Sequence, residues 1–259
     1  MITVDLPSNE ALEAASSAFT FALVGIGLLI VGSAVAAATW ARSLNSWALG
    51  GVSFVLSQTA QFVTLFLFGP LIAAFTSAPL QEASRAIILS TAARGVRDTR
   101  PSTAFGFGHG SIDLFMSSLI LTSSYIPALT ALWVLSVVRD GKIFIGSDAE
   151  SIDSWHTIAA YLVSQGTITT AVALIVQGAL MFGLHALLTL IVLRAVVRGG
   201  GVRAVGLGLL LPIAIHMPVA VVRTLFPAAT LPVLLGALLV ALLAYRRGRG
   251  SMAEAAAGQ

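Results

Sequence analysis

The chain has 259 residues, of which 57% are hydrophobic and 10% charged, where a soluble domain carries about 25% charged residues. A mean hydropathy of +0.95 excludes a water-soluble enzyme, because so apolar a chain has too little polar surface to cover its interior, and it places the protein in a bilayer. With no cysteine there can be no disulfide framework, thiolate metal site or cysteine nucleophile, and the net charge of +3, from thirteen arginines and one lysine, reads as topology marking with no nucleic-acid footprint.

Residues 1–17 carry Asp5, Glu10 and Glu13 without Lys or Arg, the wrong charge for a secretory n-region, so the first apolar stretch is expected to be retained. Runs of roughly 20 mostly apolar residues, the length a bilayer crossing needs, follow at 18–40, 47–67, 71–93, 104–137, 156–193, 204–222 and 228–245. They predict an all-α polytopic transmembrane helix bundle of about seven spans, a single domain over 18–245. An exterior segment at 1–17 precedes it and a cytoplasmic tail at 246–259 follows, its end at 251–259 expected to be disordered. The second span turns into the third at the uncharged Gly69-Pro70. The fourth stretch is too long for one crossing, and Pro127 in Ser123-Ser124-Tyr125-Ile126-Pro127 predicts a kink or a division, which would make an eighth helix. The fifth is also too long, and 156–166 is read as a surface segment leading into it, with His156 a solvated boundary residue beside Trp155.

Short cytoplasmic loops retain Lys and Arg. Under strict alternation Arg42, Arg94, Arg97, Arg100, Arg194, Arg198, Arg203, Arg246, Arg247 and Arg249 all fall on one side. The acidic N-terminus, the Gly69-Pro70 turn, the polar loop at 140–154 and the turn at Pro227 fall on the other. The expected location is the cell membrane, multi-pass, with the N-terminus outside and the C-terminus cytoplasmic. Arg223 alone disagrees.

Ionisable groups inside spans cost about 2.5 to 3.5 kcal/mol each and normally face a bundle interior. Here they are Glu82 and Arg85 beside Gln81 in the third span, His109 and Asp113 in the fourth, His185 with Gln177 in the fifth, and His216 in the sixth. At about 1.5 Å per residue, Glu82 lies about 18 Å from Arg94, His109 about 14 Å from Arg100, His185 about 14 Å from Arg194 and His216 about 20 Å from Arg203. One layer therefore collects polar groups from four helices. Glu82 and Arg85 are i,i+3 neighbours and His109 and Asp113 i,i+4 neighbours, so each pair projects from one helical face toward a shared cavity. Gly106, Gly108 and Gly110 are expected to bring backbones close and to leave room beside the His109 imidazole. Gln58, Gln61, Thr64, Gln165 and Thr189 read as ordinary interhelical hydrogen-bonding groups.

The string Gln81-Glu82-Ala83-Ser84-Arg85, then Gly106-Phe107-Gly108-His109-Gly110-Ser111-Ile112-Asp113, then His185 in Leu184-His185-Ala186-Leu187-Leu188-Thr189, then His216 in Ala214-Ile215-His216-Met217, resembles the YhfC family of intramembrane metalloproteases. That family is itself similar to the CAAX-protease and bacteriocin-processing membrane peptidases. The match runs over roughly 80–220, with the glycine-flanked histidine its most specific element. Three positions depart from the family pattern: Gln81 stands where a Glu-Glu pair would begin, Asp113 where Glu would stand, and Gln177-Gly178 where Glu-Arg is common. The first carboxylate of the pair is the general base that the related peptidases imply. Gln81 cannot take a proton from water, and Glu82 points about 100° round the helix from it.

The resemblance implies hydrolysis of a transmembrane or membrane-proximal peptide substrate, with membrane lipid as surroundings and no nucleic acid. Two schemes are open. In one, His109, His185 and His216 hold zinc with a water in the open position and Glu82 acts as base. In the other, no metal is used: Glu82 activates water and His109 or His185 donates to the oxyanion. Arg85 is expected to neutralise Glu82. Gln81, Asp113 and Gln177 are the evidence for a second reading, a catalytically impaired relative that binds a membrane segment, lipid or partner. A small proton-coupled transporter is a third, against which stands the lack of duplicated halves.

Overall fold

The computed structural model describes residues 8–139, 157, 160, 163–198 and 201–257. Among the described residues every regular element is helical. The expected exterior loop at 140–154 and His156 lie outside them.

Helix α1 (Asn9–Thr39) opens with the Ser8 hydroxyl accepting from the Ala11 N–H at 3.2 Å and with Glu10 in its first turn. Both answer the free N–H groups and positive end of a helix N-terminus. Helix α2 (Leu44–Ser90) leaves helical geometry at Gly69, where φ is 80° and ψ 175°. That backbone is open in practice to glycine alone, and Pro70 after it brings no N–H to the helical ladder. The Ser77 hydroxyl donates to Gln61 Oε1 at 3.1 Å although the two residues are 16 apart. On a straight helix that separation would be about 24 Å, so the arms 44–68 and 70–90 double back on one another at the turn expected there.

Helix α3 (Thr99–Arg139) runs unbroken through 123–127, so the division expected at Pro127 does not occur. One missing backbone donor within a long apolar helix is a tolerable loss where neighbouring groups can re-satisfy the freed carbonyl. A break at Gly166-Thr167 does precede α4 (Ile168–Val197), as expected for the fifth stretch. Then come α5 (Gly201–Leu225), a 3-10 turn at Pro227–Ala229 and α6 (Thr230–Ala257). Helix α6 continues to Ala257 through an Ala-rich run with Glu254, residues of strong helix propensity.

Among the described residues, five helical stretches are long and apolar enough to cross a membrane: Glu13–Thr39, Leu44–Ser90, Ile168–Val197, Gly201–Leu225 and Pro227–Arg247. The doubled α2 counts once among them. Large apolar side chains such as Val55, Phe62, Phe66, Leu207 and Leu210 stand exposed on these helices, a surface suited to lipid contact. The molecule is thus an all-helical membrane protein.

Contacts divide the chain into two units. In the first, Met1–Leu28 with Phe115–Val176, the small residues Ala18, Ala22 and Ala171 pack together. In the second, Leu29–Leu114 with Gln177–Gln259, one cluster joins Leu184, Leu188 and Ile191 of α4 to Ile215 and Val219 of α5 and Leu234 of α6. Another joins Ala86 and Leu89 of the second α2 arm to Phe105 of α3 and Val192 of α4. Glycine sets the spacing here. A Cβ at Gly50 would strike the backbone of Phe105 and His109, one at Gly108 the backbone of Trp47, and one at Gly106 the backbone of Ala186 at 2.5 Å. Helix α3 therefore touches the first α2 arm and α4 backbone to backbone, which small residues alone permit.

Candidate functional site

All seven candidate residues lie in the second unit, on α2, α3, α4 and α5. Because Gly50 lets the first α2 arm meet α3 at His109, Ser53, three residues on along the same face, comes against the imidazole: Ser53 Oγ and His109 Nδ1 are 2.9 Å apart. The doubling of α2 brings Gln81 to the other edge of that ring, with Oε1 at 3.2 Å from His109 Nε2. Phe54 stands edge-on to His109, ring centroids 5.1 Å apart.

A charged group adjoins this polar line. Glu82 accepts from Arg85 Nη1 at 2.6 Å and pairs with His216 Nδ1 at 2.7 Å. Arg85 Nη2 lies 2.8 Å from His185 Nδ1, and His185 Nε2 lies 3.3 Å from Asp113 Oδ2. Asp113 in turn accepts from Arg223 at 3.0 Å. A guanidinium has only donors, so His185 Nδ1 must accept and its Nε2–H must donate to Asp113. The ring centroids of His109 and His185 are 4.9 Å apart, and those of His185 and His216 are 5.4 Å apart. Glu82, Arg85, His109 and His185 are fully buried and His216 nearly so. Two carboxylates and two guanidiniums balance in charge, the condition under which ions persist away from water.

The matched depths thus correspond to real convergence, and Arg85 pairs with Glu82 as expected. His109 is fully buried and the space at Gly110 is narrow. A Cβ at Gly110 would already lie 3.2 Å from the His185 and Phe182 rings: the glycines are used for helix contact. Gln177 is half-buried and makes no hydrogen bond to a described residue. Gln61 bridges the α2 arms as read from sequence, whereas Thr64 and Thr189 donate to the carbonyls of Ala60 and His185 in their own helices, the common fate of a helical hydroxyl.

Two participants escaped the sequence reading. Arg223 gave a signal: the one arginine out of place for topology is the partner of Asp113, so its position follows from a buried carboxylate. Ser53 gave only a weak one, the row of small residues Ser46, Gly50, Ser53 and Ser57 along one face of α2, all buried.

The donor set does not form a metal cage as it stands. Both His185 nitrogens are engaged, one of them by a cation, and a metal ion there would face the Arg85 guanidinium. His109 has a partner at each nitrogen. Among the described residues no three His, Asp or Glu side chains are placed to hold a metal ion. No family model matches the chain, nor does a curated protein or a solved structure.

Proposed function

We propose that this protein is an intramembrane hydrolase of the YhfC type that cleaves a membrane-embedded or membrane-proximal peptide bond. The observation that carries the reading is the convergence of Glu82, His109, His185 and His216, from four helices, on one buried polar centre. Such groups are costly in a membrane and mark function more often than packing. Arg85 adds a second support, since its Nε–H is buried with no acceptor, and an unused donor at this depth suits a substrate carbonyl or the oxyanion it becomes.

The engagement of His185 by Arg85 favours the metal-free scheme over zinc. Glu82 is held by Arg85 and His216 in this arrangement, so it serves as base only when Arg85 releases it. The pairing of Glu82 with Arg85 and His216, with Gln81 in place of a carboxylate, favours the second reading of a binding-only relative. Purified protein in nanodiscs, incubated with a transmembrane peptide library, separates the two. Cleavage undiminished by a strong chelator is expected. Loss of all cleavage on chelation, restored by zinc, would reinstate the metal, and absence of cleavage under every condition would leave the binding-only reading.

We further propose seven crossings, supplied by α1, the two arms of α2, α3, α4, α5 and α6, with the N-terminus outside and the 94–100 loop cytoplasmic. Since the chain has no cysteine, an Arg97→Cys variant reports cleanly. It is expected to react with an impermeant maleimide only after the cells are opened. Labelling of intact cells would invert the topology.

A further inference from the structure

We propose that Ser53 is a nucleophile activated by His109 and oriented through Gln81, so that hydrolysis passes through an acyl-serine. Its substrate class rests on the hydrolase reading, its nucleophile on the geometry alone.

The proton positions follow from a chain of hydrogen bonds with one direction. Two donors converge on Gln61 Oε1, the Gln58 amide at 3.1 Å and the Ser77 hydroxyl at 3.1 Å. Ser77, its single proton committed there, can only accept from the Gln81 amide at 3.2 Å. Gln81 therefore turns its carbonyl oxygen to His109, and a carbonyl oxygen can only accept. With the Gln61 and Gln81 amides in this orientation, His109 Nε2 carries the proton. In the neutral ring Nδ1 then holds a lone pair, and the group 2.9 Å from it is the Ser53 hydroxyl.

Other buried or half-buried serines spend their proton differently. Ser57, Ser84, Ser102 and Ser111 donate to carbonyls one turn back along the chain. Ser53 instead faces an imidazole base that a third group orients from its far side, which is the arrangement that activates serine in unrelated hydrolases. Gln81 stands where those enzymes carry a carboxylate or amide. The departure from the family pattern at this position is thus what sets the tautomer, and a glutamine does so without a further buried charge.

The step balances. Ser53 Oγ bonds to the substrate carbonyl carbon as its proton passes to His109 Nδ1, and the carbonyl π pair becomes an oxyanion for which Arg85 Nε–H is the unused donor in the cluster. Collapse breaks the C–N bond, and the leaving amine takes the proton from Nδ1. Water then attacks the ester while His109 accepts its proton, and return of that proton to Ser53 Oγ releases the carboxylic acid.

Full-length protein in nanodiscs is treated with an alkyl fluorophosphonate whose apolar chain partitions into lipid, and the adduct is mapped by mass spectrometry. One adduct is expected, at Ser53. It should vanish in Ser53→Ala and form about a hundredfold more slowly in His109→Asn, while Gln81→Glu should form it faster. A second measurement covers poor probe fit: in Ser53→Cys the new thiol, the only one in the chain, is expected to alkylate about fivefold faster than in Ser53→Cys/His109→Asn. An adduct at any other residue, or a cysteine indifferent to His109, overturns the assignment. Peptide cleavage is followed in the same samples. Cleavage that survives Ser53→Ala refutes the acyl-serine and leaves the hydrolase reading, whereas labelling of Ser53 without peptide cleavage refutes the peptide substrate and leaves the nucleophile.

Discussion

Replacing Glu82 with Gln is expected to lower stability by about 3 kcal/mol or more and, if the protein cleaves peptides, to lower the rate by two to four orders of magnitude. The stability loss arises because Arg85 and His216 both lean on this carboxylate, at 2.6 and 2.7 Å, inside a fully buried cluster. Removing one member of a buried ion pair leaves the other charge without compensation, at about 3–5 kcal/mol, and glutamine recovers part of this through its carbonyl oxygen. The rate loss has a base or its electrostatic support as cause. The two effects separate in a double-mutant cycle. Arg85→Gln alone should also destabilise, since Glu82 then keeps its charge with only His216 as partner. The double variant Glu82→Gln/Arg85→Gln should be more stable than either single variant, because no uncompensated ion remains, and it should stay inactive. Thermal unfolding in detergent measures the first quantity. Single variants as stable as the parent would mean that Glu82 and Arg85 are not paired as ions here.

Gly108→Ala is expected to be the most disruptive single methyl among the described glycines. A Cβ at this position falls inside the backbone of Trp47, so the first arm of α2 and α3 must separate. Overpacking ordinarily costs about 1–3 kcal/mol, and a collision with backbone belongs at the upper end because no rotamer change relieves it. Separation would also pull Ser53 from His109, so hydrogen bonding at the site fails with the packing. Gly236→Ala is the control: nothing lies within 4 Å of a Cβ there, and a helical glycine replaced by alanine at an open position gains about 0.5–1 kcal/mol. Unfolding midpoints that fall for Gly108→Ala and hold or rise for Gly236→Ala are the expected pair. Equal midpoints would mean that α2 and α3 do not meet at this spacing.

The helices, the bilayer as solvent, the turn at Gly69-Pro70 and the shared depth of Glu82, His109, His185 and His216 were all legible from the chain alone. Each is a local or additive quantity: apolarity summed over about 20 residues, a backbone conformation open to glycine, a rise of about 1.5 Å per residue. The partners within the layer were not legible. That His185 joins Arg85 to Asp113, that Arg223 closes the line, and that Ser53 meets His109 all depend on how far each helix is rotated about its own axis and how closely two axes approach. In a soluble helix an apolar stripe betrays that rotation. Here lipid and core are both apolar, so most positions carry no mark of the side they face. Tertiary structure decided the pairing through the glycines, which let α3 sink against α2 and α4 and so bring the buried polar groups of these helices within reach of one another.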